Sequence, residues 1–362
     1  MPALTGIRFP LAMWVVAHHL SGPNRMFEPL TSISPSVHGL IDAAWIALSV
    51  FFALSGFVLA RRYRTTQWTR PALARFAVAR FGRVYPVYLL SLLILAPIMF
   101  EAMRDDRFGS VLARAGLLLN HVFLLQGWIR PDVNWNTPAW SLSSEVFFYA
   151  CAPLLVGFVR VASWPRALMT ATLACALPIA LRLSLDPPIA KPLLYLGDFL
   201  VGIAAAGVYD RLRAGNVTLA RVGPWVAGPA LAAGLILLLY RDALGSFLVF
   251  DTGIRLASAC LIFGLACGGG GLARALSSAP VLWGGGASYA IYILHVPVLW
   301  WYQRSDTHAA LPPVAAGVVY VLFVLVLSVV VARGVEGPAN LIVRRWWERR
   351  RRQGLQTTLA FL

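Results

Sequence analysis

Residues 8–20 read RFPLAMWVVAHHL, an apolar run with an arginine at its start and histidines near its end. Arg8 and His19 are eleven positions apart, about three helical turns plus 20°, so their side chains lie on one face of a helix. They are separated by roughly 16 Å along the helix axis. Ionisable groups are costly inside hydrocarbon and usually mark a functional site. The pair therefore predicts a helical path from one water boundary into the interior of a membrane.

The composition is that of a membrane protein. The 362 residues are 59% hydrophobic and 13% charged, with a mean hydropathy of +0.71, whereas soluble domains carry about 25% charged residues. A net charge of +16 would suit a nucleic-acid partner in a soluble protein. Because the arginines cluster between apolar segments, membrane topology accounts for them better, and we expect no nucleic-acid partner. We predict an all-α polytopic membrane protein whose first partner is the lipid bilayer.

Eleven apolar segments are candidates for crossing the membrane. They lie near residues 7–21, 40–60, 86–103, 111–127, 140–160, 167–184, 192–209, 222–240, 248–267, 281–303 and 313–332. The loop after the second segment is rich in arginine, and the positive-inside rule places it in the cytoplasm. Its arginines are Arg61, Arg62, Arg64, Arg70, Arg75, Arg80 and Arg83. If all eleven segments crossed, the later basic loops would face outside. They all face inside if one segment, 111–127, does not cross.

The arginine pattern therefore predicts about ten transmembrane helices with both termini in the cytoplasm. Residues 111–127 would form a re-entrant or interfacial helix on the outer side. The polar Asn120, His121 and Gln126 in that segment fit this placement, because they are poorly suited to lipid exposure.

The rest of the chain indicates neither a second folded domain nor a metal site. We predict a transmembrane domain over residues 1–335 and a basic cytoplasmic tail over 336–362 that binds acidic lipid head groups. Glycine runs at 268–271 and 284–286 lack the lysine and hydroxyl of a phosphate-binding loop, so we interpret them as flexible inner connections. The four cysteines lie in apolar segments without metal-ligand spacing.

Three polar sites lie within apolar segments. The first is His19. The second and third each hold side chains spaced by whole helical turns, which therefore share one face. They are Ser141 with Glu145, and Ser288 with Tyr292 and His295.

The predicted topology gives three ionisable groups a similar depth. His19, Glu145 and His295 all fall in the outer half of the membrane. A single intramembrane histidine or glutamate also serves as a hydrogen bond between helices. Three of them at one depth, with Arg8 nearer the inner boundary, favour a reactive site.

Arg80 and Arg83 provide a fourth element at the cytoplasmic side. Arginines three positions apart on a helix can hold phosphate oxygens from one face. The alternative is that both contribute only topological positive charge.

Five motifs follow one another along the chain. They are R-x10-H at Arg8 and His19, FFALSGF at 51–57, RxxR at Arg80 and Arg83, WSLSSE at 140–145, and SYAIYILH at 288–295. In their order and spacing over about residues 3–335, the chain resembles the transmembrane acyltransferase-3 family, which includes bacterial O-acetyltransferases of surface polysaccharides. One departure is Val146, where the family often has a second acidic residue. Glu145 is then the only carboxylate of this motif.

The resemblance implies an O-acyltransferase in the bacterial cytoplasmic membrane. Its donor substrate would be acyl-CoA, with acetyl the expected group, and it would bind no other cofactor and no metal. Arg80 and Arg83 would hold the nucleotide phosphates at the cytoplasmic face. Arg8 would guide the pantetheine arm of the donor toward His19.

The catalytic roles that follow are interchangeable at this stage. His19 would act as a general base on the acceptor hydroxyl or accept the acyl group itself. Glu145 would orient His19 and stabilise its imidazolium, as the carboxylate does in a catalytic triad. His295, Tyr292 or Ser141 would support the oxyanion or the acceptor.

The sequence is compatible with more than one acceptor and with one other function. An exported polysaccharide or its lipid-linked precursor is expected from the outer position of the site and from the family, and a small molecule such as a macrolide is the alternative. Intramembrane histidine and glutamate also form proton relays in transporters. Transporters often contain internal repeats, and this sequence shows none.

Overall fold

Helices make up almost all of the computed structural model, which describes residues 1–21, 25–104, 110–129, 134–159, 163–185, 188–245 and 247–360. These residues contain no β-strand. The helices in chain order are α1 Pro2–Gly6, α2 Arg8–Leu20, α3 Glu28–Thr31, α4 Pro35–Asp42, α5 Ile46–Tyr63, α6 Arg70–Ala102, α7 Val111–Val122, α8 Ala139–Val159, α9 Trp164–Ser184, α10 Lys191–Ala214, α11 Leu219–Leu239, α12 Arg241–Leu244, α13 Arg255–Cys267, α14 Gly270–Leu276, α15 Ala279–Tyr302, α16 Asp306–Ala310, α17 Pro313–Val331 and α18 Gly337–Ala360. A 3-10 turn at Ala43–Trp45 precedes α5, and π-helical turns at Phe247–Ile254 and Ala332–Glu336 precede α13 and α18.

In the described part of the chain, nine helices are long and apolar enough to cross a membrane. The first predicted crossing is not among them, because the helix is interrupted at Ile7 between α1 and α2. Pro10 explains the interruption, since it has no N–H to bond the carbonyl of Gly6. Residues 2–20 together extend about 28 Å, close to the thickness of the hydrocarbon core. The number of crossings and the side of the termini stay predictions.

Helix α7 follows the course expected of a re-entrant element. Its 12 residues extend only about 18 Å, too short to cross. It lies along α6, where Tyr88 donates a hydrogen bond to the His121 carbonyl at 2.5 Å and Tyr85 donates to the Val122 carbonyl at 3.1 Å. Further along the chain, the Asn136 amide donates to Ser91 of α6 at 3.0 Å. We call α7 and the described residues that follow it, 123–129 and 134–138, the α7 hairpin.

Glycines bring helices of the core into backbone contact. Helix α5 packs along α10, which also contacts α8, α9 and α13. A Cβ at Gly202 of α10 would overlap the carbonyl oxygen of Ala53, and one at Gly56 of α5 would overlap that of Phe199. Such close approach needs glycine, as is common between membrane helices.

The interpretation of Gly284–Gly286 as a flexible connection is wrong. These residues lie inside α15, which packs against α1, α2, α6 and α17. A Cβ at Gly285 would overlap the Thr5 carbonyl oxygen, and one at Gly284 would overlap the Phe9 ring. The glycines therefore permit tight packing of α15 on the N-terminal segment.

A buried ion network joins α9, α10 and the segment of α13. Arg255 of α13 contacts Asp198 of α10 at 3.1 Å and Asp251 at 3.8 Å, and Arg182 of α9 contacts Asp251 at 3.1 Å. Arg255, Asp198 and Asp251 are all buried. The two positive and two negative charges balance, which is how buried charges are tolerated in a membrane protein. Sequence analysis did not identify this network, because its members come from three separate segments.

The predicted domain boundary at residue 335 falls within a continuous helical path. Helix α17 passes through the π-helical turn Ala332–Glu336 into α18, whose first half packs on α6. Gly82 of α6 lies against Val343 of α18. The start of the predicted tail is thus part of the bundle. Nothing is described of the side chains beyond residue 349, where several of the tail's basic residues lie.

Candidate active site

A cavity opens within the bundle, and its empty space, including the part open to solvent, is about 870 Å³. Helices α2, α5, α6, α8 and α15 all contribute to its wall. Six of the predicted site residues line it, namely Arg8, Arg80, Arg83, Ser141, Glu145 and Tyr292. The structure therefore brings together residues from four motifs that are far apart in the sequence.

Three arginines line the cavity, in a part of its wall that we call the arginine end, and they are not equivalent. Arg83 is paired with Glu336 at 2.5 Å. Arg80 lies with its guanidinium carbon 5.6 Å from the centre of the Tyr149 ring, and its buried Nε has no hydrogen-bond partner. Among the described residues, no ion pair or hydrogen bond reaches Arg8 or Arg80. Unpaired guanidinium groups facing a cavity are suited to an anionic ligand.

Glu145 lies beside these arginines and away from the histidines. It accepts hydrogen bonds from Ser55, at 3.4 Å, and from Tyr149 one helical turn further on. The structure places no hydrogen bond between Glu145 and His19 among the described residues. The prediction that Glu145 orients His19 is therefore not met, because similar depth in the membrane does not require the two helix faces to meet. The carboxylate instead offsets part of the positive charge of the arginine end.

Ser141 and Tyr292 form a hydroxyl pair in another part of the cavity wall. Their oxygens are 2.8 Å apart, and both hydroxyl groups lie within hydrogen-bond distance of the Pro138 carbonyl, at 2.8 and 3.3 Å. The Tyr292 ring centre is 6.2 Å from that of His295. Tyr292 thus connects the cavity to the histidines.

His19 and His295 form a directly bonded pair. Nδ1 of His19 is 3.2 Å from Nε2 of His295 and 2.9 Å from the Val15 carbonyl, while Nδ1 of His295 is 3.1 Å from the Ile291 carbonyl. Carbonyl oxygens only accept, so in the neutral rings Nδ1 carries the proton in both histidines. This assignment, inferred from the hydrogen-bond partners, leaves the Nε2 lone pair of His295 to accept from His19. It also leaves Nε2 of His19 as a free base.

The ring centre of His18 is 5.2 Å from that of His19, but no hydrogen bond joins His18 to either member of the pair among the described residues. Its Nδ1 is 3.5 Å from the carboxylate of Asp42. The choice of His19 over its neighbour as the candidate base therefore fits the geometry.

Three residues of the site were not predicted from the sequence. Tyr149 follows Glu145 by one helical turn, and that spacing was a usable signal. Ser55 belongs to the FFALSGF stretch but was not singled out. Glu336 had been assigned to the tail, and the π-helical turn before α18 changes the register, so no regular helical pattern could place it. Among the described residues no cluster of three or more His, Cys, Asp or Glu side chains could hold a metal ion.

Comparisons with known proteins agree with the motif order. The acyltransferase domain model Acyl_transf_3 matches residues 1–333. The chain is 29% identical over 332 residues to the acyltransferase MdmB of Streptomyces mycarofaciens, which covers 83% of this chain and 79% of that protein. It is 22% identical over 325 residues to the peptidoglycan O-acetyltransferase OatA of Listeria monocytogenes, covering 83% of this chain and 49% of that protein.

The remaining comparisons are narrower. A stretch of 94 residues, 26% of this chain and 42% of the relative, is 34% identical to Protein 2 in the picA locus of Rhizobium radiobacter. No solved structure matches the chain. The family match over almost the whole helical bundle confirms the resemblance seen in the motifs. The chain belongs to the acyltransferase-3 family of membrane acyltransferases.

Proposed function

We propose that this membrane acyltransferase moves an acyl group, expected to be acetyl, from cytoplasmic acyl-CoA to a hydroxyl of a surface polysaccharide or its lipid-linked precursor. One observation carries the proposal. A single cavity is lined by unpaired arginines and by Tyr292, whose ring centre is 6.2 Å from that of His295, and His295 is bonded to His19, which has a free basic nitrogen. An anionic donor bound by the arginines would therefore lie in the same cavity as the tyrosine that contacts the histidine pair.

The donor would bind through its phosphates at the arginine end. Arg8 and Arg80 have no ion-pair partner among the described residues, so phosphate oxygens would replace water around them without breaking an existing contact. Arg83 is already held by Glu336 at 2.5 Å. We therefore assign the main phosphate contacts to Arg8 and Arg80, with Arg83 contributing its charge at longer range.

The thioester would lie near Tyr292, with the acceptor hydroxyl at Nε2 of His19. As the hydroxyl oxygen bonds to the thioester carbonyl carbon, its proton passes to His19 Nε2. The C–S bond then breaks, and the leaving CoA thiolate takes that proton. His295 would accept a hydrogen bond from the imidazolium of His19, and the hydroxyls of Ser141 and Tyr292 would stabilise the oxyanion. In the alternative two-step route, His19 Nε2 first bonds to the thioester carbonyl carbon, the C–S bond breaks and CoA leaves as its thiolate. The acceptor hydroxyl oxygen then takes the acyl group, the C–N bond breaks, and the hydroxyl proton passes to the freed Nε2.

The nature of the acceptor is supported by one relative. OatA is named a peptidoglycan O-acetyltransferase, which favours a carbohydrate hydroxyl for this chain as well. A small hydroxylated molecule such as a macrolide is the alternative acceptor. A location in the bacterial cytoplasmic membrane follows if the donor comes from the cytoplasm and the acceptor is an exported polymer.

Proteoliposomes supplied with acetyl-CoA carrying a labelled acetyl group test the proposal. The acceptors are a hydroxylated polysaccharide and, in a parallel assay, a macrolide. We expect label on a hydroxyl and release of CoA by the wild-type protein, no transfer by His19→Ala, and near-normal transfer by the control His18→Ala. Transfer by His19→Ala at the wild-type rate would refute the mechanism. Movement of a substrate across the liposome membrane without acyl transfer would favour a transporter.

The two chemical routes differ when acceptor is omitted. A burst of CoA release equal to the amount of enzyme, with label retained on the protein, would show an acyl-histidine intermediate. Direct transfer predicts no burst.

A further inference from the structure

Helix α15 carries a proline next to the histidine pair. Pro297 lies inside this helix, two residues after His295. Proline has no N–H, so the carbonyl of Ile293, four residues earlier, loses its helical hydrogen-bond donor. An unpaired carbonyl is costly in a membrane, where water is not at hand to replace the donor. The helix therefore needs a substitute donor within one turn of His295.

Asn136 of the α7 hairpin supplies that donor. Its side-chain nitrogen donates to the Ile293 carbonyl at 3.3 Å and to Ser91 at 3.0 Å. The residue is fully buried. Its own carbonyl accepts from the amide of Ala139 at 2.9 Å, where α8 begins. The Asn136 side chain thus ties the proline-interrupted turn of α15 to α6, and its backbone carbonyl ties the same residue to the start of the helix that carries Ser141 and Glu145.

A second contact holds α15 on the other side of the proline. The indole of Trp300 donates to the Trp135 carbonyl at 3.0 Å. Asn136 therefore contacts α15 four residues before Pro297, and its neighbour Trp135 contacts α15 three residues after Pro297. Tyr320 of α17 also donates to the His295 carbonyl, at 2.5 Å. The turn that bears His295 is bonded from two directions.

We propose that Asn136 is a positioning residue that acts through His295. By replacing the missing Pro297 N–H, it fixes the local geometry of α15 and keeps Nε2 of His295 at hydrogen-bond distance from His19. This inference rests on the proposed function for its catalytic part. Its structural part stands on the contacts alone, so the two parts can be tested separately.

The α7 hairpin offers a matched control. Asn120 is a second buried asparagine whose side-chain nitrogen donates to a backbone carbonyl, that of Ile129, at 3.0 Å. This contact stays within the hairpin and does not reach α15. Asn136→Leu and Asn120→Leu therefore both remove a buried amide from the same element, but only the first removes the donor to Ile293.

The experiment compares wild type, Asn136→Leu, Asn120→Leu and Asn136→Leu combined with Pro297→Ala. Hydrogen exchange of α15 peptides reports the helix geometry, and steady-state acyl transfer from acetyl-CoA reports catalysis. For Asn136→Leu we expect faster exchange over residues 293–302 and a kcat about tenfold lower, as expected for loss of a buried hydrogen bond that positions a catalytic group. The KM for acetyl-CoA should stay within about twofold, because the arginine end is untouched.

The other variants decide the cause. Asn120→Leu should leave α15 exchange and kcat unchanged. Pro297→Ala restores a backbone N–H, so in the double variant the protection of α15 should return. Equal effects of the two asparagine variants, or no recovery of protection in the double variant, would overturn the inference. If wild type transfers no acyl group, the proposed function fails, and the exchange measurements still decide the role of Asn136.

Discussion

Arg80 and Arg83 belong to one sequence motif, but the structure predicts different consequences when each is removed. Arg80 faces the cavity without an ion pair among the described residues, and its closest neighbours include the rings of Tyr149 and Phe76. Arg80→Ala should therefore remove a contact to the donor. A hydrogen bond to a charged group contributes about 1.5–3 kcal/mol, so we expect the KM for acetyl-CoA to rise about 10- to 150-fold. Because the histidine pair is unaffected, kcat should change by less than about threefold.

Arg83→Ala should mainly reduce stability. Glu336, which is 5% exposed, would lose its partner at 2.5 Å. Leaving a buried carboxylate unpaired is strongly destabilising. The Arg83 side chain is 37% exposed, so solvent screening lowers the expected loss to about 1–3 kcal/mol. Arg83→Ala combined with Glu336→Gln should recover much of that loss, since the uncompensated charge is then removed.

Two measurements on each purified variant separate these outcomes. Acyl transfer at varied acetyl-CoA concentration gives KM and kcat, and thermal unfolding in detergent gives stability. Arg80→Lys keeps the charge without the planar donor geometry, and it should fall between wild type and Arg80→Ala. The reasoning would be refuted by a KM change below about threefold in Arg80→Ala, or by a larger KM change in Arg83→Ala with unchanged stability.

Three further predictions concern the bundle. Gly202→Ala places a methyl group against a backbone carbonyl and should lower the free energy of unfolding by about 1–3 kcal/mol. Gly228 has open space around it, so Gly228→Ala should be neutral or slightly stabilising. Similar thermal unfolding of the two variants would contradict the packing. Asp198→Asn leaves the buried Arg255 short of a negative charge and should cost about 3–5 kcal/mol, and Asp198→Asn combined with Arg255→Met should unfold at a higher temperature than Asp198→Asn alone. A reporter fused after Trp164 should be active in the cytoplasm; a signal from the opposite side would refute the ten-crossing topology.

The helical spacing of polar residues correctly predicted which side chains share a helix face. The shared face of Ser141 and Glu145 is real, since both line the cavity. The spacing of Tyr292 and His295 likewise places one ring beside the cavity and the other beside His19. Within a single helix, side-chain direction depends on position alone, so the period of 3.6 residues is sufficient to predict which side chains share a face.

Contacts between helices were harder to predict. Depth in the membrane suggested that Glu145 meets His19, but depth does not determine how a helix is rotated about its axis. The direction of the Glu336 side chain could not be predicted, because a π-helical turn shifts every later residue around the helix. Asn136 had no visible partner, because its role depends on a carbonyl left free by Pro297 in a distant segment. Each of these requires knowledge of which helices pack together.

At Gly285 and Thr5, the N-terminal segment and α15 are in backbone contact. A change of the angle between the two helices at this contact would move His19 relative to His295. His295 lies ten residues beyond this contact and His19 fourteen, roughly 15 and 21 Å along their helices. At these distances, a change of only about 3° in the angle at the contact moves an imidazole by about 1 Å. A displacement of that size can slow a reaction about a hundredfold. The accuracy with which the two histidines are positioned therefore depends on packing at the other end of the two helices. We expect a methyl group added at Gly285 to disturb the histidine pair, although it contacts neither imidazole.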